Sequence, residues 1–191
     1  MFDMDGTLTV PYFDFDAIRA EIGIVGRTPI LEAMELMPEA ERRRAAAILD
    51  RHERAGAENA HLQEGTLDTL AGLRTRGYCL GLLTRNTRRW VDVVLDRFGI
   101  VMDAIRTRDD GPVKPAGDGV SALCVELGAD PGVSWMVGDY LFDIIAGRQA
   151  GARTVLLIDD REAPPYADQA DHVIRRLPEL LTLLGPAGKP A

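Results

Sequence analysis

From about residue 65 onward, short apolar runs alternate with stretches of helical period. Gly77-Tyr78-Cys79-Leu80-Gly81-Leu82-Leu83-Thr84 reads as a buried strand, as do residues 133–138 and Arg153-Thr154-Val155-Leu156-Leu157-Ile158, with a shorter fourth at 103–107. Between them the spacing predicts helices near 66–76, 87–98, 117–128 and 141–150. Gly77, Gly99, Gly128 and Gly151 stand at or just past their ends, where glycine takes the left-handed conformation cheaply. Strand alternating with helix implies an α/β fold, a Rossmann-like parallel sheet with helices on both faces.

The segment from 14 to 64 has a different pattern. It contains no convincing strand, and 14–23, 28–37 and 38–56 read as helices. The third carries Glu41, Arg42, Arg43, Arg44, Asp50, Arg51, Glu53 and Arg54, a run expected on a solvated face. The expected organisation is a core domain of residues 1–10 and 65–184 with a small helical cap, 11–64, inserted after the first strand. The Pro/Gly-rich tail, 185–191, is expected to be disordered.

Composition narrows the function classes. At 191 residues the chain suits one core with a modest insertion, and 46% hydrophobic with 27% charged residues is ordinary for a soluble domain. No run approaches the roughly 20 apolar residues of a membrane span. Asp3 and Asp5 stand where a secretory leader would be basic and then apolar, so a cytoplasmic location is expected. The net charge of −8 speaks against nucleic acid as a partner. It leaves a small phosphorylated substrate open, because a metal ion and a few local cations can dominate a site's field. Cys79 and Cys124 lie far apart in apolar contexts without CxxC spacing, which predicts two buried, reduced thiols and no zinc site. His52, His61 and His172 are scattered and not at ligand spacing.

The candidate chemistry lies where predicted strands end. Phe2-Asp3-Met4-Asp5-Gly6-Thr7 puts two carboxylates at i and i+2, on one side of an extended segment, at the edge where open α/β sheets bind ligands. Carboxylates so close repel unless a proton or cation is shared, and hard oxygen donors favour Mg²⁺. Leu82-Leu83-Thr84-Arg85-Asn86 is an apolar strand ending in a hydroxyl before a helix; Thr84 there serves a phosphate, caps the helix, or both. Val113-Lys114-Pro115 places a lysine in a loop before a helix, by itself an ordinary surface lysine. Val137-Gly138-Asp139-Tyr140-Leu141-Phe142-Asp143 ends a strand in one acid and sets a second at i+4. Singly, each acid also reads as helix-capping.

Taken in order, Asp-x-Asp-Gly-Thr, apolar-Thr, Lys-Pro and Gly-Asp-x-x-x-Asp resemble the four motifs of the haloacid dehalogenase-like (HAD) hydrolases. Gly147 and Ala150-Gly151-Ala152 fit as well. The resemblance covers residues 2 to about 160 and is greatest to the subfamily with a small helical cap, which includes phosphoglycolate-phosphatase-like enzymes. It implies a phosphatase working through a phosphoaspartate. Asp3 would be the nucleophile, and Asp5 the general acid and then base. Mg²⁺ would be held by Asp3, the carbonyl of Asp5 and Asp139, with Asp143 either a ligand or a partner of the ligands. Thr84 and Lys114 would bind the phosphoryl group, with Arg85 and Asn86 as further substrate contacts. It also implies that Asp5 favours phosphate-ester hydrolysis over dehalogenation, and that a phosphomutase remains an alternative. Tyr140 departs from the pattern, standing where a small residue is common, and either narrows the site or packs.

Two other readings stay open: a non-catalytic module that keeps this fold for binding, and a phosphoacceptor whose aspartyl phosphate is stable. A positioned second acid, Asp5, discriminates against the latter. No GxxxxGK[ST] is present, which excludes a P-loop enzyme. Only Met1 and Phe2 precede Asp3, short for a central strand, so the natural chain is expected to begin upstream. Substrate specificity is expected from the cap, with Arg27 either a contact for a second anionic group or an ordinary surface residue.

Overall fold

In the computed structural model the residues described are 1–185, so all but Gly185 of the tail expected to be disordered lies outside them. The chain forms two compact units: Met1–Pro11 together with the chain from His61, and Tyr12–Ala60.

The larger unit is an α/β domain with parallel strands. Its elements are α4 (Thr66–Thr75), β1 (Gly81–Leu83), α5 (Arg88–Phe98), β2 (Ala104–Arg106), α6 (Asp118–Leu127), β3 (Trp135–Gly138), α7 (Leu141–Gln149), β4 (Arg153–Leu157), β5 (His172–Ile174) and α8 (Glu179–Leu183). β1 pairs with β2, and β3, β4 and β5 form a second run, all parallel. Phe2 joins the two runs, bridging Leu82 on one side and Val137 on the other. Phe2 N donates to Gly81 O and Leu83 N to Phe2 O, while Asp3 N donates to Val137 O and Val137 N to Met1 O. The strand order is therefore β2, β1, Met1–Asp3, β3, β4, β5, and Asp3 leaves the sheet at its centre.

Successive residues along these strands are buried, including Leu82, Leu83, Met136, Val137, Val155, Leu156 and Leu157. Burial on both sides of the pleat is the mark of a sheet covered on both faces. On one face α6 and α7 pack together with Met1, Leu83, Val120, Leu123, Cys124, Met136 and Ala146 between them. Helix ends follow the glycine signals: Gly99 and Gly128 are left-handed C-caps of α5 and α6.

Several expectations need correction. The strand predicted from residue 77 pairs only from Gly81, and Cys79 in its unpaired lead-in is exposed rather than buried; Cys124 is buried, and both are free thiols. β5 and α8 were not predicted. β5 has three residues, two of them exposed, too short and too polar to carry a strand pattern.

The smaller unit is helical: α1 (Phe15–Ile22), α2 (Ile30–Glu35) and α3 (Glu39–Glu58). Asp14 caps α1 by accepting from Ala17 N, and Gly23 ends it in the left-handed region. Ile18, Ile30, Met34, Ala45 and Leu49 form its core, and Phe13 sits against Gly56, where a Cβ would lie 2.7 Å from the ring. The charged face of α3 is solvated, with Arg42, Arg43 and Arg44 exposed; Glu53 is the exception, buried in the same helix.

Candidate active site

The carboxyl edge of the sheet gathers residues from four segments. Asp3 follows the central bridge, Thr84 follows β1, Lys114 lies in the loop before α6, and Asp139 follows β3. Asp143 projects back from the first turn of α7. Oxygen atoms of Asp3, Asp139 and Asp143 lie within 4.8 Å of one another. Lys114 Nζ donates to Asp3 Oδ1 at 2.5 Å and to Asp143 Oδ1 at 2.6 Å. The lysine, which out of its motif context reads as an ordinary surface residue, is only 3% exposed.

Two glycines make room for this cluster. A Cβ on Gly138 would stand 2.0 Å from Asp143 Cγ, so only glycine lets Asp143 fold back under the end of β3. A Cβ on Gly6 would meet Asp139 Oδ2 at 2.4 Å, and Gly6 has φ +85°. There the chain turns sharply: Gly6 N donates to Thr9 O and Thr9 N to Met4 O, after which Val10 N and Gln63 N pair the outgoing and returning segments.

The capping reading holds for Asp143, in the first turn of α7, and gives way to other contacts for Asp139 and Thr84. Asp139 is not the cap of α7; Tyr140 holds that position, and its N–H donates to Asp143 Oδ2 at 3.1 Å. Thr84 is not the cap of α5, which begins four residues later with Thr87 as N-cap. Instead Thr84 is buried, and its Oγ1 accepts from Asn86 N at 3.2 Å. Asp5 stands apart from the triad: its Oδ2 accepts from Asn86 Nδ2 at 2.6 Å. Arg85 donates to the carbonyl of Lys114 and lies over the Phe142 ring, 5.0 Å from its centroid. Tyr140 is half exposed and packs edge-on against Phe142 and Tyr166.

Charge in the cluster is unevenly matched. Burial opposes the Lys114 charge, but Asp143 and Asp3 outweigh it and hold the ammonium above its ordinary range. Burial lifts Asp3 well above the usual carboxylate range against the pull of Lys114, and the charges of Asp143, Asp139 and Asp5 lift it further. Asp139 is pushed up to about 6, first by burial and then by Asp143, with Arg161 opposing. Three acids crowd around one lysine, and a cation with hard-oxygen preference suits the donor set.

Sequence reasoning missed Arg161. Its Nη1 donates to Asp139 Oδ2 at 3.1 Å. Its one sequence signal was position, just past the end of β4 on the same carboxyl edge of the sheet.

Residues 12–157 match the family description "Haloacid dehalogenase-like hydrolase", a span that includes Thr84, Lys114, Asp139 and Asp143 and leaves Asp3 and Asp5 outside it. The chain belongs to the haloacid dehalogenase-like hydrolases. It is thus an enzyme of the HAD-like phosphatase/hydrolase class, as the order of its motifs implied. A haloacid dehalogenase-like hydrolase domain-containing protein of Arabidopsis thaliana is 34% identical over 169 residues, 82% of this chain and 69% of that protein. An N-acetylmuramic acid 6-phosphate phosphatase of Pseudomonas putida is 29% identical over 177 residues, 81% of this chain and 79% of that one. The crystal structure of a predicted phosphoglycolate phosphatase from Haemophilus somnus shares the fold with a TM-score of 0.74 at 21% identity, covering 95% of each chain.

Proposed function

We propose that this HAD-like hydrolase is a Mg²⁺-dependent phosphatase that cleaves a small phosphate monoester through a phosphoaspartate on Asp3. The observation that carries the reading is the buried Lys114 ammonium fastened to both Asp3 and Asp143 beside Asp139. With more acid than base, the cluster suits a cation, and a bound cation would in turn draw an anionic ester to the carboxylate of Asp3. The phosphatase named among the relatives supports the substrate class.

Asp3 attacks phosphorus, forming an acyl–phosphate bond as the ester P–O bond breaks. Asp5 gives its proton to the departing oxygen. Asp5, now a base, takes a proton from water, which attacks phosphorus, breaks the bond to Asp3 and releases phosphate. Dividing one displacement into two eases each half, and the second acid changes protonation state between them. Asn86, hydrogen-bonded to Asp5, fixes where that acid points. Thr84 and Lys114 hold the phosphoryl group, Lys114 supplying a donor where charge develops. Arg85 supports the loop that carries Lys114.

The donor set fits a magnesium ion: three carboxylates converge, and Gly6 leaves space beside Asp139 that any side chain would fill. Asp3, Asp139, Asp143 and the Asp5 carbonyl are the ligands we assign. When bound, the ion neutralises the repulsion between a carboxylate nucleophile and an anionic ester.

The test is hydrolysis of p-nitrophenyl phosphate with and without Mg²⁺, alongside Asp3→Asn. Magnesium-dependent turnover that the substitution abolishes supports the reading. Turnover that persists in folded Asp3→Asn protein refutes the nucleophile, and none in folded wild type refutes the phosphatase.

A further inference from the structure

Arg161 is bound to the end of β4 by more than its position in the chain. Its Nε donates to Ile158 O and its Nη2 to Leu157 O, both at 3.1 Å, and its own backbone N–H also donates to Ile158 O. Leu157 is in register with Ile174 of β5 and Ile158 N donates to Ile174 O, so both residues are fastened to the neighbouring strand. With two donor groups spent on backbone, the guanidinium is a fixed fork. The remaining arm, Nη1, reaches Asp139 Oδ2. Arg161 is 47% exposed at its side chain, whereas Asp139 is 14% exposed.

A carboxylate has two oxygens, and a partner that grips one sets the direction of the other. Such outer partners of metal ligands change metal affinity by roughly 10–100-fold when removed. The role falls to Arg161 because Asp139 does not cap α7: that task belongs to Asp143, which accepts from Tyr140 N. Asp139 follows the last residue of β3 and would otherwise swing about its own side-chain torsions.

We infer that Arg161 is a positioning residue that orients Asp139 for metal binding, so that this arginine sets the Mg²⁺ affinity of the site without touching substrate. The inference rests on the reading of the acidic triad as a metal site. A pure charge effect predicts the opposite sign, since removing a cation from beside an acidic cluster makes it more attractive to Mg²⁺. Orientation prevails because the exposed guanidinium's charge is screened by solvent, whereas its bonds to the strand end are directional.

The experiment measures the Mg²⁺-dependent rise in melting temperature as a titration, for wild type, Arg161→Gln and Arg161→Lys, together with the Mg²⁺ dependence of p-nitrophenyl phosphate turnover. The expected result is a roughly 10-fold weaker Mg²⁺ midpoint in both variants. Melting temperature without metal is expected to fall in both variants, so each Mg²⁺ titration is read against that variant's own metal-free value, and kcat is expected to be largely recovered at saturating Mg²⁺. Arg161→Lys keeps the charge but not the fork, so its weakening together with Arg161→Gln marks orientation as the cause. An unchanged or tighter midpoint in Arg161→Gln overturns the inference while leaving the metal site standing. No Mg²⁺ response in wild type overturns both.

Discussion

Lys114 and Asp3 form an ion pair in the interior, Nζ to Oδ1 at 2.5 Å, with side chains 3% and 12% exposed. The two residues are 111 positions apart, and the sheet brings them together: Asp3 leaves its centre and Lys114 precedes the helix that covers β1 and β2. The same ammonium holds Asp143, so one cation ties together three parts of the chain.

Removing that cation leaves Asp3 and Asp143 buried without the ammonium they share. Lys114→Met is expected to destabilise the metal-free protein by about 3–5 kcal/mol, the usual cost of breaking a buried pair from one side. Urea unfolding in the presence of a chelator measures it. Added Mg²⁺ is expected to restore part of the loss, because it replaces charge at the same carboxylates. A midpoint equal to that of wild type would show that Lys114 is not holding the cluster.

Asp139 gives a prediction with a defined pH sign. Its folded value of about 6 lies above the 3.8 of an unperturbed group, so the folded protein binds this proton more tightly than the unfolded chain. The cost of carrying its charge is absent below pH 3.8, grows between there and about pH 6, and is complete above. In chelator well above pH 6, Asp139→Asn is expected to be more stable than wild type by about 1–3 kcal/mol. The difference should close as the pH falls toward 4. In Mg²⁺ the order reverses, since wild type gains binding energy that the variant lacks. Melting curves across pH with and without Mg²⁺ check both halves; a variant less stable than wild type in chelator at high pH contradicts the sign.

Gly138 and Gly151 separate crowding at the site from backbone preference. Gly138→Ala drives a Cβ to 2.0 Å from Asp143 Cγ. Displacing Asp143 by an ångström is expected to lower kcat by roughly 100-fold or more. Gly151 has φ +80° but open space around it, so Gly151→Ala is expected to cost about 1 kcal/mol in stability and leave kcat unchanged. Comparable kcat in the two variants would remove the steric argument.

Much of this was legible in the sequence, for reasons that differ by element. α4, α5, α6 and α7 each end within two residues of a left-handed glycine, Gly77, Gly99, Gly128 and Gly151, and the strands that carry site residues are apolar runs buried on both faces. Asp3 and Asp139 were legible because each stands at a strand end, and strand ends of a parallel sheet converge; Lys114 and Asp143 were legible from their place in the ordered motifs. What was not legible depended on partners far along the chain. Nothing near Asn86 announces that its amide reaches Asp5, and nothing near Arg161 announces Asp139. β5 escaped notice because His172 and Val173 are exposed edge residues with no apolar run around them. Cys79 was misread because a strand's apolar lead-in looks the same in sequence whether or not it is paired, and pairing starts only at Gly81.

In the mechanism we propose, Asp3 carries the phosphoryl group and Asp5 governs its release. p-Nitrophenolate leaves without needing a proton, so Asp5→Asn is expected to spare the first half of the reaction with p-nitrophenyl phosphate and stall the second. The measurement is rapid mixing of Asp5→Asn with that ester and Mg²⁺, followed by acid quench and peptide mass analysis. The account predicts a burst of p-nitrophenol close to one equivalent per site and a phosphoryl group on the peptide bearing Asp3. A folded variant that gives neither burst nor label, or a label on another residue, would contradict it.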